Sequence, residues 1–353
     1  MKLWFQFSGL GRFMSGLGLL LMFVAGVSAQ VEIWTSRYDS GQDDDDHATA
    51  MVMTSDGNLA VTGFSVGSDW TRDIATLKLD ALTGEALWVR RWMAGPSSMD
   101  VGWAIATDSG GNIFVAGWTR TSGGDTNFVT IKYLSDGTQA WAVTYDNSGS
   151  DVAVAVAADN AGGCYVTGRS VGAGNYDYVT IHYDSDGNQS WLARYNGPAA
   201  GTDIPTALAA ASGGAVYVTG YSWGGSALKF GYLTVKYDAS GDTVWTKRYD
   251  GTASDTITKS DLAFAIALDD SENVYVTGRA GESGTWFDAT TVKYNRDGGQ
   301  LWVNRFDWGE NSVDGTNEIA LGPDRSIYCA GFTETDLGFY EYLLFKLTPS
   351  GSL

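Results

Sequence analysis

Short apolar runs alternate with polar turns along most of the chain, in units that recur about every fifty-four residues. In the fifth copy the runs are DLAFAIALD (261–269), NVYVTG (273–278), ATTVKYN (289–295) and GQLWVNRF (299–306). β-Branched and aromatic residues fill these runs while Gly, Asn, Asp and Ser separate them, which is typical of strands and hairpins. Four antiparallel strands per unit, with one recurring aromatic, predict the blades of an all-β propeller.

A tryptophan phrase ends each unit, at Trp34, Trp88, Trp141, Trp191, Trp245 and Trp302. Alanines recur in the first strand of each unit, where small side chains suit a crowded axis, and an indole suits the wide rim. The last unit supplies three strands, and the first tryptophan phrase has no three strands before it. We therefore expect six blades in a single domain, residues 30–353, closed by strand 33–38 pairing with the strand around 341–347 as the outer strand of the last blade.

Residues 1–29 have the pattern of a secretory signal peptide. Lys2 and Arg12 precede or flank an apolar run at 13–26, and Val27-Ser28-Ala29 resembles a cleavage site. The run is shorter than the roughly twenty residues of a membrane span. We expect a secreted, periplasmic or cell-surface protein with no membrane span in the mature chain, and a monomer.

The formal net charge is −19. This argues against nucleic acid and anionic membranes as partners and leaves cations, glycans, peptides and basic proteins. Cys164 and Cys329 fall in units three and six, which lie across a six-membered ring, so we expect two buried free thiols.

Cationic residues recur in fixed positions and are interpreted as scaffold. The third strands carry Lys78, Lys132, Lys236, Lys293 and Lys346, with His182 in the same position of unit three. The spacing to the following tryptophan predicts that cation and indole lie opposite each other across a hairpin. Arginines also recur three positions after the tryptophan, except for Thr144 in one unit: Arg37, Arg91, Arg194, Arg248 and Arg305. Because the two histidines, His47 and His182, lie in different units, the sequence offers no His-based catalytic site, and no catalytic residue is assigned.

An aspartate precedes or begins every first strand: Asp46, Asp100, Asp151, Asp203, Asp261 and Asp314. Two interpretations remain open. These residues bind backbone N–H groups or nearby cations at strand starts, or they form a carboxylate ring at the channel mouth that binds calcium or a basic ligand. Apart from calcium, no cofactor is expected.

Loop lengths distinguish the two ends of the units. Connections between strands one and two and between three and four are short and repetitive, as hairpin turns are. Connections between strands two and three are longer and dissimilar, and they contain the candidate ligand-binding residues Trp70, Trp223 and Trp286, with Tyr176 and Tyr340. Variable loops on a rigid scaffold are usual binding positions, although the same rings could simply cap the blades.

The phrase GNxYVTGxS…TVKYDSDGxxxW, seen at 273–278, 217–222, 234–238 and 184–191, resembles the SBBP-type bacterial β-propeller repeat over residues 31–353. The resemblance implies an extracytoplasmic bacterial protein without an assigned activity, and it implies seven blades where we count six. The phrase LDALTGEALW (79–88) is also similar to a quinoprotein-type repeat.

We therefore expect a secreted binding or scaffold propeller that contacts a glycan, peptide or protein through its long loops. The alternatives are a propeller lyase, hydrolase or lactonase with a metal at the channel mouth, and a quinone-dependent oxidoreductase-like protein.

Overall fold

The computed structural model describes residues 33–41, 45–68, 70–121, 123–252, 260–281, 286–309, 312–335 and 338–353. The chain divides into an N-terminal unit, 1–35, and a second unit, 36–353, which contains every strand. The predicted signal segment, 1–29, lies outside the described residues. The described residues include twenty-three strands and no helix, so the all-β prediction is confirmed.

The strands form six antiparallel sheets. Sheet 1 contains β1 (Asp46–Met53), β2 (Leu59–Val66), β3 (Arg72–Leu79) and β4 (Ala86–Trp92). Sheet 2 contains β5 (Met99–Thr107), β6 (Ile113–Arg120), β7 (Thr126–Tyr133) and β8 (Gln139–Tyr145). Sheet 3 contains β9 (Asp151–Ala158), β10 (Cys164–Val171), β11 (Tyr176–Tyr183) and β12 (Gln189–Tyr195).

The second half repeats the pattern. Sheet 4 contains β13 (Asp203–Ala210), β14 (Val216–Trp223), β15 (Phe230–Tyr237) and β16 (Thr243–Tyr249). Sheet 5 contains β17 (Leu262–Leu268), β18 (Val274–Gly281), β19 (Phe287–Tyr294) and β20 (Gln300–Phe306). Sheet 6 contains β21 (Asp314–Leu321), β22 (Ile327–Glu334) and β23 (Tyr340–Leu347).

Strand order within each sheet follows the sequence, and the first strands of successive sheets contact one another. Residues 36–353 therefore form a repeat architecture of the β-propeller type, in which each sheet packs on the next. Apolar clusters lie between neighbouring sheets. One of them joins sheets 1 and 2 through Ile74, Trp88, Ile113, Val115, Val129 and Ile131. Cys164 and Cys329 are buried free thiols, as expected from their units.

Every first strand contains a β-bulge, which the sequence analysis did not anticipate. The bulged residue of sheet 1 is Thr49, whose hydroxyl donates to the Gly102 carbonyl of sheet 2 at 2.7 Å. Thr206 of sheet 4 donates to the Ala263 carbonyl of sheet 5 in the same way. The second strand approaches the bulge closely: a Cβ on Gly168 would lie 2.2 Å from the Val152 carbonyl oxygen. Glycine is therefore required there for the two strands to pair.

The recurring tryptophan and lysine join each sheet to the next. Lys78 lies opposite Trp88 in the β3–β4 ladder, as the spacing predicted, and both donate to the Ser135 carbonyl in the β7–β8 turn, each at 3.2 Å. Gly137 of that turn has φ 84° and packs against the indole so closely that a Cβ would lie 2.7 Å from the ring. The other indole donors and their carbonyls are Trp141 with Ser185, Trp191 with Ala239, Trp245 with Arg296 and Trp302 with Pro349.

Closure by the N-terminal strand is not seen in the structure. Residues 33–40 form no strand, and among the described residues β23 pairs only with β22, so sheet 6 has three strands. Tyr342 of β23 is fully exposed, whereas Phe128 and Tyr178, at the same position of sheets 2 and 3, are covered by the following sheet. Closure by strand 33–38 is therefore not confirmed by the described residues and stays a prediction.

Candidate functional site

The long-loop face is the end of the sheets that carries the β2–β3 type connections and the connections from each fourth strand to the next first strand. The predicted long loops are shorter than expected, because the flanking strands extend into them. Trp223 is the last residue of β14, and Tyr176 and Tyr340 are the first residues of β11 and β23. Strands therefore position these three rings, and rigid elements fix side chains more accurately than loops do.

The six aspartates lie at the beginnings of the first strands, as predicted, and their carboxylates anchor the preceding connection. Asp203 Oδ2 accepts a hydrogen bond from the Gly197 backbone N–H at 2.6 Å, and Asp151 Oδ2 accepts one from Asn147 at 2.8 Å. The other four make the equivalent bond: Asp46 with Ser40, Asp100 with Ala94, Asp261 with Gly251 and Asp314 with Trp308. Each carboxylate thus fixes the connection that arrives from the preceding tryptophan strand.

A charged network surrounds these aspartates and explains the recurring arginines. In sheet 3, Asp151 pairs with Ser170 across the β9–β10 ladder. The Arg194 guanidinium donates to Ser170 Oγ at 2.6 Å, to Asp177 Oδ2 at 2.9 Å and to the Tyr145 hydroxyl of sheet 2 at 3.2 Å. Arg91 of sheet 1 bonds Ser65 and Asp73 in the same manner. The arginine is therefore a scaffold residue, as expected, and it also links neighbouring sheets.

Burial changes the acidity of several of these aspartates. Asp100, Asp151 and Asp203 have no exposed surface, and desolvation raises the pKa of each above its ordinary value. The turn aspartate Asp56 behaves oppositely, because its hydrogen bond with the Lys78 ammonium holds the pKa of that carboxyl well below its usual range.

These opposite shifts predict opposite pH responses. A raised folded-state pKa gives stability that is present at low pH and lost as pH rises through that pKa. We therefore expect Asp203→Asn, which can still accept from Gly197, to gain stability relative to the wild type as pH rises from 3 to 7. Asp56→Asn should instead lose relative stability over the same range, since the lowered pKa stabilises the fold at high pH. Urea unfolding at several pH values measures both, and the same sign for the two variants would contradict this electrostatic assignment.

The first cleft on the long-loop face lies between sheets 3 and 4 and has a volume of about 360 Å³. Trp223, Tyr195, Pro198, Leu228 and Arg248 contribute to its lining. The Trp223 ring makes an edge contact with Phe230 at 5.1 Å, and the Lys229 ammonium lies 5.6 Å from its centre. The indole is therefore held by neighbours while one side lines an open apolar cleft.

A second cleft of about 460 Å³ lies between sheets 5 and 6 on the same face. Its lining includes Trp286, Tyr340, Arg279 and Glu334. Trp286 is 48% exposed, and the Arg279 guanidinium packs over the Phe287 ring at 5.0 Å. This cleft thus combines three aromatic rings, of Trp286, Phe287 and Tyr340, with one cation and one carboxylate. The third predicted aromatic, Trp70, lies apart from both clefts' linings, is 74% exposed and has φ 63°.

Sequence reasoning missed Arg248, Arg279 and Leu228 as cleft residues. It assigned the arginine of the fourth strand to the scaffold, and nothing in a single sequence reveals which scaffold side chains border an opening.

The described parts of the chain contain no group of three or more His, Cys, Asp or Glu side chains placed to hold a metal ion. Within the same residues, no helix is long and apolar enough to cross a membrane.

Neither a protein-family model nor a curated protein sequence matches this chain. Among solved structures, the chain is similar to two crystal structures of Sqt1 from Chaetomium thermophilum. The first is 13% identical with a TM-score of 0.48, and the match covers 89% of this chain and 75% of that one. The second is 12% identical with a TM-score of 0.48, covering 87% and 73%.

Proposed function

We propose that this protein is a binding scaffold whose long-loop face contacts a glycan, a peptide or a protein. The observation that carries the proposal is the pair of clefts on this face, each bordered by one of the predicted tryptophans, Trp223 and Trp286. Exposed indoles beside apolar and hydrogen-bonding groups suit stacking on sugar rings or enclosing a peptide side chain. The aspartates support this role indirectly, because they fix the connections that border the clefts.

The signal-like pattern of residues 1–29 and the repeat phrase support a secreted, periplasmic or cell-surface location and a relation to the SBBP-type repeat proteins. The acidic net charge favours ligands that are neutral or cationic.

We also propose that the ring has six blades and that residues 33–38 complete sheet 6. Two contacts in residues 36–353 support this. The Arg91 guanidinium of sheet 1 interacts with the Tyr38 hydroxyl, at the position where Arg305 of sheet 5 bonds Tyr249 at the end of sheet 4. Ser40 donates its backbone N–H to Asp46, as the connections after other fourth strands do. Residues 38–40 thus meet sheet 1 as the end of a preceding fourth strand would.

The second interpretation of the aspartates, calcium binding, makes a separate prediction. A calcium ion bound only to the folded state should stabilise it by about 2.7 kcal/mol at a hundredfold excess over its dissociation constant. Asp151→Asn and Asp314→Asn should abolish that gain, because calcium prefers charged oxygen ligands. Thermal unfolding with and without calcium measures it, and an unchanged midpoint would leave the aspartates as loop anchors only.

Glycan and peptide arrays probed with the mature protein test the binding proposal. We expect ligands that bind the wild type and the Leu82→Ala variant, since Leu82 is exposed in the β3–β4 turn at the opposite end of the sheets. The same ligands should fail to bind a variant with Trp223→Ala and Trp286→Ala, which removes the indole of each cleft. Equal array signals for the wild type and this double variant would contradict the assignment of ligand binding to the long-loop face.

A further inference from the structure

Three sheets hold a lysine ammonium in a cradle, against an aromatic ring of the same sheet and bonded to turn carbonyls of the next sheet. Lys132 Nζ donates to the Gly162 carbonyl at 2.8 Å and to the Ser185 carbonyl at 3.0 Å, both in turns of sheet 3. Lys236 and Lys293 make the corresponding bonds, to Arg296 and Pro349, and their ammonium groups lie 4.9 and 4.7 Å from the centres of the Tyr217 and Tyr275 rings. The cradle thus consists of turn carbonyl oxygens above an aromatic face.

Sheet 3 departs from this arrangement because it carries His182 in the lysine position. The imidazole stacks on Tyr165 at 4.5 Å, and its Nε2 lies 2.8 Å from Asp159 Oδ2 within the same sheet. The matching carbonyls of sheet 4 are those of Gly214 and Ala239. Among the described residues, neither receives a bond from a cationic side chain: Gly214 accepts a long 3.4 Å bond from the Tyr165 hydroxyl, and Ala239 accepts from the Trp191 indole.

A cleft of about 600 Å³ lies at this position, between sheets 3 and 4 on the short-turn end. Asp159, Tyr165, His182, Gly214 and Ala239 line it, and most of its other lining residues are alanine or glycine. The Asp159 side chain is 8% exposed, so its charge is shielded from water and interacts strongly with a nearby cation. The His182 Nδ1 atom is buried and has no hydrogen-bond partner among the described residues.

We propose that this cleft binds a primary alkylammonium group. The two turn carbonyls that line it, of Gly214 and Ala239, match the Gly162 and Ser185 carbonyls that hold the Lys132 ammonium. The Asp159 carboxylate adds a charge-assisted hydrogen bond to the ammonium group. The ammonium group takes the place of the side chain that His182 is too short to supply. The ligand is either a free small amine or a lysine side chain, since both present the same chemistry. This site is independent of the binding proposed for the long-loop face.

Thermal unfolding of the full chain in n-butylammonium chloride tests the proposal. Tetramethylammonium chloride at equal ionic strength is the control, because its cation carries the same charge but has no N–H donor. We expect the midpoint to rise with butylammonium concentration and not with tetramethylammonium. His182→Lys should remove the response, since the new side chain fills the cradle itself. Lys132→Ala, which opens the equivalent cradle between sheets 2 and 3, should add a second response.

Asp159→Asn supplies a variant whose folding is less at risk, because Asn retains the Oδ1 that accepts the Ala161 and Gly163 backbone N–H groups. It should weaken butylammonium binding at least tenfold. Nα-acetyl-lysine amide in place of butylammonium shows whether a lysine side chain also enters the cleft. Equal midpoints in both salts, or an unchanged response in both His182→Lys and Asp159→Asn, would overturn the proposal.

Discussion

Replacing Trp88 by alanine is expected to lower the free energy of unfolding by about 3–5 kcal/mol. The indole is only 9% exposed and packs among Ile74, Ile113 and Tyr133 between sheets 1 and 2. Its Nε1 also donates to the Ser135 carbonyl. Alanine would leave a cavity, remove this bond and withdraw the surface on which Gly137 rests. Chemical denaturation followed by circular dichroism measures the loss.

Trp70→Ala is the matched control, since it removes the same side chain from an exposed position. Surface substitutions of this kind change stability by about 0.5 kcal/mol or less. Similar losses of unfolding free energy for the two variants would mean that the recurring tryptophan does not join the sheets. That result would contradict the packing described above.

Deleting residues 31–39 is expected to cost about 3 kcal/mol or more and to lower the unfolding midpoint of the whole repeat. In the proposed closed ring, the deletion removes the hydrogen bonds of one outer strand and one of the six indoles, and it also removes the interaction of Tyr38 with Arg91. In a repeat array each sheet is stabilised by its neighbours, so the loss of one interface spreads to the others.

A variant in which 31–39 is replaced by Gly and Ser residues of equal length separates this effect from chain length. Tyr38→Phe, which removes only the hydroxyl that interacts with Arg91, should cost about 1 kcal/mol or less. An unfolding midpoint that is the same with and without residues 31–39 would contradict closure by this segment.

The repeat made much of the fold predictable. Period-two runs separated by Gly and Asp recur six times, so a strand that is ambiguous in one copy is clear in another. The nine- or ten-residue spacing between cation and indole fixed their cross-strand pairing, and the structure places Lys132 opposite Trp141 and Lys236 opposite Trp245. The contrast between short, repetitive hairpin turns and longer, dissimilar connections also distinguished the two ends of the sheets.

What could not be predicted depends on contacts between units. The carbonyls that receive Lys132 lie 30 and 53 residues further along the chain, so no local pattern marks them. The burial of Asp151 and Asp203 follows from how each connection folds over its strand start, which composition does not determine. The sequence placed His182 in the lysine position, and the structure pairs it with Trp191, but the cleft beside it became visible only with sheet 4 in place.

Titration calorimetry tests the binding role of the long-loop face most directly. It measures the dissociation constant of the strongest array ligand for three proteins. The proteins are the wild type, Trp286→Ala and Leu82→Ala, with the folded state of each checked by circular dichroism. We predict at least a tenfold weaker affinity for Trp286→Ala, because truncating a tryptophan at the centre of a binding site costs about 2 kcal/mol or more, and an unchanged affinity for Leu82→Ala. Equal affinities for the wild type and Trp286→Ala, with a loss for Leu82→Ala, would place the ligand at the opposite end of the sheets and contradict the account.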